Sequence, residues 1–368
     1  MRIRSLATSF LLSAVLGGCA DSEAPFIPPT DQAPHVDPPA RTANIAGVVF
    51  DPEAFFFTMM MFPVEGDDGP PPAVFDGPYL GNAAITGGQV TLTSPEGREV
   101  VLPPAPPGGV WQAIAVPAGD TTAYIASATP PAEGVEFDPE SPVPLPTATY
   151  FRTTYVRPIV TSVSQCLGQS ALLVGSAGAL DAVAQHLTAA GTPTTVADLL
   201  NPAKTGGVAL LWVHGPSFPG DLFLSPLDSV AGEASAGQLI ALDWAPPEGA
   251  PGQSPMGFAA LPDAVSMVGY FALVLPPGTS APVTVRFTDT FTLPPGEEPD
   301  PEAPPRPMAI PQVTVEPRAG VSVYRSFAQP PEPPPGGGGL EDPGPPEPSF
   351  DWVCMAPPEG PPPAEKPR

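Results

Sequence analysis

The sequence predicts a mainly β chain with two folded domains, one short helix and Pro-rich ends. Three observations carry this expectation. Pro (62 residues) and Gly (37) make up about 27% of the 368 residues, and the prolines crowd the two ends and the places where apolar runs stop. Between those stops the apolar runs have strand length, roughly four to eight residues, and are closed by Pro/Gly turns. Interior proline breaks helices, which argues against helix over most of the chain. The hydrophobic content of 42% is enough for real cores, and the length suits two domains of ordinary size.

The N-terminus reads as an export signal. Arg2 and Arg4 form a positive start, Leu6 to Leu16 is apolar without a charge, and Gly17-Gly18 lead into Cys19. The apolar run is about half of the roughly 20 residues that cross a bilayer. Leu16-Gly17-Gly18-Cys19 resembles the lipobox of bacterial lipoproteins. The resemblance implies a signal peptide over 1–18, cleavage before Cys19, a lipid on its sulfur and membrane attachment through that lipid. Ala20, not Asp, follows the cysteine, and the expected location is the cell envelope, at the outer membrane of a Gram-negative bacterium. Residues 19–41 form a tether. From 20 to 41 it holds six prolines and no apolar periodicity. At about 3.1 Å per residue it reaches at most about 70 Å.

Charge narrows the partners. The formal net charge is −25, about −27 once Arg2 and Arg4 leave with the signal, and Lys204 and Lys366 are the only lysines. Nucleic acid, which needs a basic face, is not expected as a partner, and neither is a direct grip on anionic lipid head groups. An envelope protein or a polysaccharide remains as a partner.

The first folded segment, 42–157, opens with Ile45, Gly47, Val48 and Phe50. Phe55, Phe56, Phe57, Thr58, Met59, Met60, Met61 and Phe62 are the most apolar stretch of the mature chain. A buried strand is expected there, with an exposed loop tip as the alternative; exposed, these Phe and Met residues are the candidate partner-binding surface. Gly66 to Pro72 is a loop. Asn82 to Thr93 is expected to be a strand that turns at Pro95-Glu96-Gly97-Arg98 into Glu99–Leu102 as a hairpin. Val110–Val116 and Thr121–Ala126 are expected to form a meander across Pro117-Ala118-Gly119-Asp120. Ile45, Gly47, Val49, Asp51, Gly109, Trp111, Val116 to Gly119 and Tyr124 together resemble carboxypeptidase-regulatory-like domains. The resemblance implies a transthyretin-type β-sandwich of about seven strands. Gly269 to Gly278, followed by Val283 to Phe287, repeats the same pattern of Gly-aromatic strand, Pro-x-Gly turn and strand. Two β-sandwich domains are therefore expected, the second over 158–328.

In the second segment Leu180, Val183, Ala184 and Leu187 have helical spacing, which predicts a helix near 179–190 closed by Gly191-Thr192-Pro193. Val196–Leu200 offers one further turn. Val208–Val213 reads as a buried strand, followed by Leu222–Leu224, Gln238–Trp244, Tyr270–Leu275 and Val283–Phe287. Val313–Val315 and Val321–Tyr324 are expected to pair as a final hairpin. Residues 329–368 form a tail with fifteen prolines and the run Gly336–Gly339, interrupted by an apolar island, Phe350 to Met355.

The search for chemistry finds no catalytic motif, so no enzyme activity and no cofactor are expected. With Cys19 lipidated, Cys166 and Cys354 remain, and two cysteines in an exported protein read as one disulfide. His35, His186 and His214 lack zinc-ligand spacing. Gly215–Pro219 and Gly252–Met256 lack the closing glycine of a nucleophile elbow. Asp67-Asp68 and Glu297-Glu298-Pro299-Asp300 lack the alternating ligands of a calcium loop. A hydrolase built from scattered acids would reveal itself as two carboxylates about 5–10 Å apart in a cleft.

Overall fold

The computed structural model describes residues 41–61, 78–119, 121–137, 143–161, 166–215, 226–293 and 305–331. The signal, most of the tether and the tail fall outside these residues, as do the expected loop at Gly66–Pro72 and the expected strand at Leu222–Leu224. Among the described residues the order is β1 (Thr42–Phe50), α1 (Pro52–Met61), α2 (Pro78–Ala83), β2 (Gln89–Thr93), β3 (Glu99–Pro104), β4 (Val110–Pro117), β5 (Ala123–Thr129), β6 (Tyr150–Phe151) and β7 (Thr153–Val160). Then come β8 (Cys166–Gly168), β9 (Ala171–Leu172), β10 (Val174–Gly175), α3 (Ala179–Ala189), α4 (Val196–Leu199), β11 (Val208–His214), β12 (Val230–Ala234) and β13 (Gln238–Trp244). The last are β14 (Phe258–Ala260), β15 (Val265–Ser266), β16 (Tyr270–Val274), β17 (Val283–Asp289), β18 (Val313–Val315) and β19 (Val321–Phe327).

The fold is mainly β. One nine-stranded sheet, ordered β14-β13-β16-β11-β19-β7-β5-β2-β3, runs through both segments. Its β7-to-β3 end faces a smaller sheet, β4-β1-β8, in which β9 also pairs with β1. The core between them holds Ile45, Val49, Val90, Leu92, Trp111 and Tyr124. The other end of the long sheet packs on β15-β12-β17-β18 around Leu211, Val213, Phe271, Leu273, Val285 and Phe287. The two sandwiches therefore share a sheet. The expected division at 157/158 falls inside β7, and β8 and β9, which follow it, pair with β1 of the first sandwich.

β11 shows why the second half has three layers. Ala209, Leu211 and Val213 point into the sandwich core, while Val208, Leu210 and Trp212 point to the opposite face. A strand buried on both faces needs a continuous apolar run, which Val208–Val213 supplies. The opposite face is covered by α1, α3 and α4, whose Phe55, Phe56, Leu180, Val183 and Leu199 join its core. α3 occupies the predicted position, and α4 is the one further turn expected after it.

Several expectations are corrected. The Phe/Met stretch is not a strand but the helix α1, and α2 is a further helix in the first segment. Asp51 caps α1, accepting from the N–H groups of Glu53 (2.8 Å) and Ala54 (3.2 Å), and Pro52 at the first helical position has no N–H to satisfy. Asn82 and Ala83 belong to α2, and the following strand begins at Gln89. The β2–β3 hairpin forms as expected, with Gly97 at φ 79° in its turn. The β4–β5 meander does not: β4 pairs with β1 and β5 with β2 and β7, so the turn between them carries the chain from one sheet to the other. The final hairpin is absent for the same reason. β18 pairs with β17, whereas β19 slots between β11 and β7, parallel to both. Arg306 ties the segment before β12 to the end of β17. Its guanidinium bonds the carboxylates of Asp228 and Asp289 and sits 4.3 Å from the Phe291 ring centroid.

Candidate functional site: a buried acid pair

The most unusual chemistry lies where β1 hands over to α1. Asp51 and Glu53 are each 0% exposed. The cap geometry turns Asp51 inward; its second oxygen, Oδ2, accepts from the Tyr150 hydroxyl of β6 at 2.8 Å. Glu53, one residue into the helix, reaches away from its own segment. Its Oε1 accepts from the Tyr270 hydroxyl of β16 at 2.6 Å and from the Ala179 N–H at the start of α3 at 3.0 Å. Among the described residues Oε2 has no hydrogen-bond partner. Gly178 makes room for it: a Cβ there would stand 1.8 Å from Oε2.

Donors to the two acids are thus two phenols and three backbone N–H groups, none of them a cation. Burying carboxylates without a cation raises their pKa, because the charged form loses its hydration. Burial pushes Asp51 up to about 6, against the pull of its donors. Burial, together with the negative charge of Asp51, pushes Glu53 up to about 8. Burial and these same acids push the Tyr150 and Tyr270 hydroxyls upward, so both stay neutral donors. Both shifts favour keeping a proton on the pair, and the donor count favours placing it on Glu53, which has two donors against three for Asp51. The N-termini of α1 and α3, both aimed at the pair, favour the remaining negative charge.

This site differs from the hydrolase arrangement. Two carboxylates are close together but sealed, and neither lines the grooves of this face. A groove of about 560 Å³ runs along the C-terminal half of α3, α4 and the ends of β13 and β16, with Thr194, Thr205, Gln238 and the Lys204–Asp198 ion pair (2.6 Å) on its walls. A void of about 30 Å³ beside α1 is lined by Phe55, Phe56, Met59, Trp212, His214 and Arg325. Among the described residues no group of three or more His, Cys, Asp or Glu is placed to hold a metal ion.

The sequence-derived candidates are dispersed. Phe55, Phe56 and Phe57 are buried at 7%, 5% and 4% exposure, and Phe56 packs on Trp212 and Trp244 with ring centroids 5.5 and 5.9 Å away. Met59 is half-buried, while Met60 and Met61 are 43% and 42% exposed. Phe62, Cys19 and Cys354 lie outside the described residues. Cys166 opens β8, with its backbone opposite Asn44 of β1. The acid pair was missed by sequence reasoning. Its signal was present in Asp51-Pro52-Glu53, a helix start directly after a strand.

No family model and no curated protein matches the sequence. Among solved structures, the chain is similar to the Bacillus anthracis TIE protein at 10% identity, covering 78% of this chain and 34% of that one, with a TM-score of 0.16. It is also similar to the shaft pilin SpaA from Lactobacillus rhamnosus GG at 10% identity, covering 80% of this chain and 100% of that one, with a TM-score of 0.19. The chain spans about a third of the TIE protein. Likeness of this order carries no function across, because function resides in sites and not in strand content.

Proposed function

We propose that the protein is a lipid-anchored, non-enzymatic structural or binding module of the cell envelope, held at the outer membrane through Cys19. The reading rests on Leu16-Gly17-Gly18-Cys19 behind an uncharged apolar run, followed by a proline-rich tether. The architecture at the other end of the tether supports it. The chain enters the fold as β1, paired on both sides and packed between two cores, so a pull on the tether is met by strands of a closed interior. Among the described residues no helix is long and apolar enough to cross a membrane. Cys166 and Cys354 are proposed to form a disulfide that ties the tail back to β8.

The test is the intact mass of the protein extracted from membranes, with and without reductant and alkylation, beside a Cys19→Ala variant. The expected wild-type mass starts at an acylated Cys19 and takes up alkylating reagent only after reduction, and Cys19→Ala leaves the membrane fraction. An unacylated wild type in the soluble fraction overturns the anchor. Two thiols that alkylate without reduction overturn the disulfide and leave the anchor standing.

A second reading, an accessory protein- or carbohydrate-binding subunit of an envelope machine, is favoured by one observation. Met60 and Met61 stand exposed at the end of α1, a suitable apolar contact. Replacing both by Glu is expected to leave the unfolding free energy within about 0.5 kcal/mol of wild type, as for surface changes generally. Loss of an envelope partner in cross-linking from intact cells would then identify the contact.

A further inference from the structure

We propose that Glu53 is a proton-held latch: α1 docks on α3 and the long sheet while Glu53 is neutral, and loss of that proton loosens the helix and uncovers Phe55, Phe56 and Phe57. The geometry separates the two acids. Asp51 has donors on both oxygens, three in all, and suits an anion. Among the described residues Glu53 has two donors on one oxygen and none on the other, in full burial, beside the Asp51 carboxylate. A second negative charge there has an oxygen facing no donor, whereas the neutral acid leaves no charge unsolvated. The two bonds that Glu53 makes join α1 to α3 and to β16, elements far along the chain. A change in its charge is therefore felt at the contact that holds the helix down.

The groups facing this latch all permit the assignment. Asp51 lies on its own segment, Tyr150 on β6 and Tyr270 on β16. α2 presents Asn82, which bonds Thr58 of α1 at 2.7 Å. α3 presents the Ala179 N–H; its first-turn acid, Asp181, accepts from Gln185 instead, and its His186 lies in the last turn. His214 of β11 and Arg325 of β19 face the other flank of α1, at Phe55, Phe56 and Met59.

The sign follows from linkage. In the docked state Glu53 is raised from 4.5 to about 8, so docking binds its proton more tightly than the opened state does. Opening is therefore favoured as pH rises from about 4.5 to about 8 and levels off above that. Asp51, raised from 3.8 to about 6, acts in the same direction at lower pH. For one proton the opened population grows by at most about tenfold per pH unit. The sandwich cores around Ile45 and Trp111 and around Leu211 and Phe271 do not include α1, so the expected effect is a local opening of the helix.

The test is amide hydrogen exchange along α1 in the full mature chain from pH 5 to 9, divided by the intrinsic base-catalysed rate. Emission of Trp212 and Trp244, which flank Phe56, is followed in parallel. Wild type is expected to show a corrected exchange rate that climbs with pH by up to about tenfold per unit above pH 6, and more steeply below it where Asp51 also titrates, before levelling, with a red shift in emission. Glu53→Gln, neutral at every pH, is expected to remove the climb above pH 6. Tyr270→Phe removes a donor that favours the anion and is expected to move the levelling-off of the climb to higher pH. A flat wild-type profile, or an unchanged climb in Glu53→Gln, overturns the latch. If Glu53→Gln fails to fold, Tyr270→Phe decides: an unmoved profile overturns it.

Discussion

Phe56→Ala is expected to destabilise the protein by about 3–5 kcal/mol, the range for removing a buried aromatic ring from a core that does not collapse around the loss. The ring is enclosed by Trp212, Trp244 and Phe258, with centroids 5.5, 5.9 and 5.9 Å away, on three strands of the long sheet. Those strands are fixed by their ladders and, for β11 and β13, by a second core on the opposite face, so they have little freedom to close the gap. Urea unfolding followed by tryptophan emission and by far-UV circular dichroism measures the loss. Met60→Ala, four residues on but 43% exposed, is the comparison and should change stability by less than about 0.5 kcal/mol. Equal effects from the two substitutions would mean that α1 is not docked as described.

Gly207→Ala is expected to be comparably damaging, at about 3–5 kcal/mol, for a different reason. Gly207 precedes β11 at φ 108°, where an L side chain is strained, and an added Cβ would lie 1.8 Å from the carbonyl oxygen of Arg318. The surrounding backbone is already engaged. Leu275 donates to the Gly207 carbonyl, Gly206 donates to Leu275, and Val208 donates to Gly320, so three segments meet at this point without slack. Gly97→Ala provides the contrast. It has a similar need for positive φ, 79°, but nothing lies within 4 Å of an added Cβ, so only about 1–2 kcal/mol of backbone strain is expected. Equal losses at the two positions, measured by urea midpoint, would show that contact with Arg318 contributes nothing.

The strands were legible wherever burial leaves a period or a continuous apolar run. Val208–Val213 is the clearest case, and the amphipathic spacing of α3 announced itself equally well. α1 was not legible because a helix buried on nearly all sides carries no stripe; Phe55 to Met61 fits a buried strand as well as a buried helix until its capping residue is considered. Strand pairing was legible only inside a hairpin that stays in one sheet, as at Gly97. The turns after Pro117 and Val315 have the same composition, yet each crosses from one sheet to another. That choice depends on which edges are free in space, and no local residue records it. Glu53 was hidden by number: one acid among 38 acidic residues reads as solvated until the fold places it between two helix N-termini.

The position of β19 has a consequence for how the molecule is assembled. The last strand of the described chain is neither an edge nor an addition. It lies between β11 and β7 and pairs Val321 with both Val208 and Thr153. A ribosome delivers those partners long before it delivers Val321. Through that interval β7 and β11 each present an unpaired edge of the kind that recruits foreign strands, and the halves of the long sheet are joined through α1 and its contacts but not through a strand ladder. Closure of the long sheet is therefore a late, long-range event of the slow-folding type. A chain cut short before Val321 would lose more than its terminus: it would be left with two open half-sheets and the aggregation hazard of both.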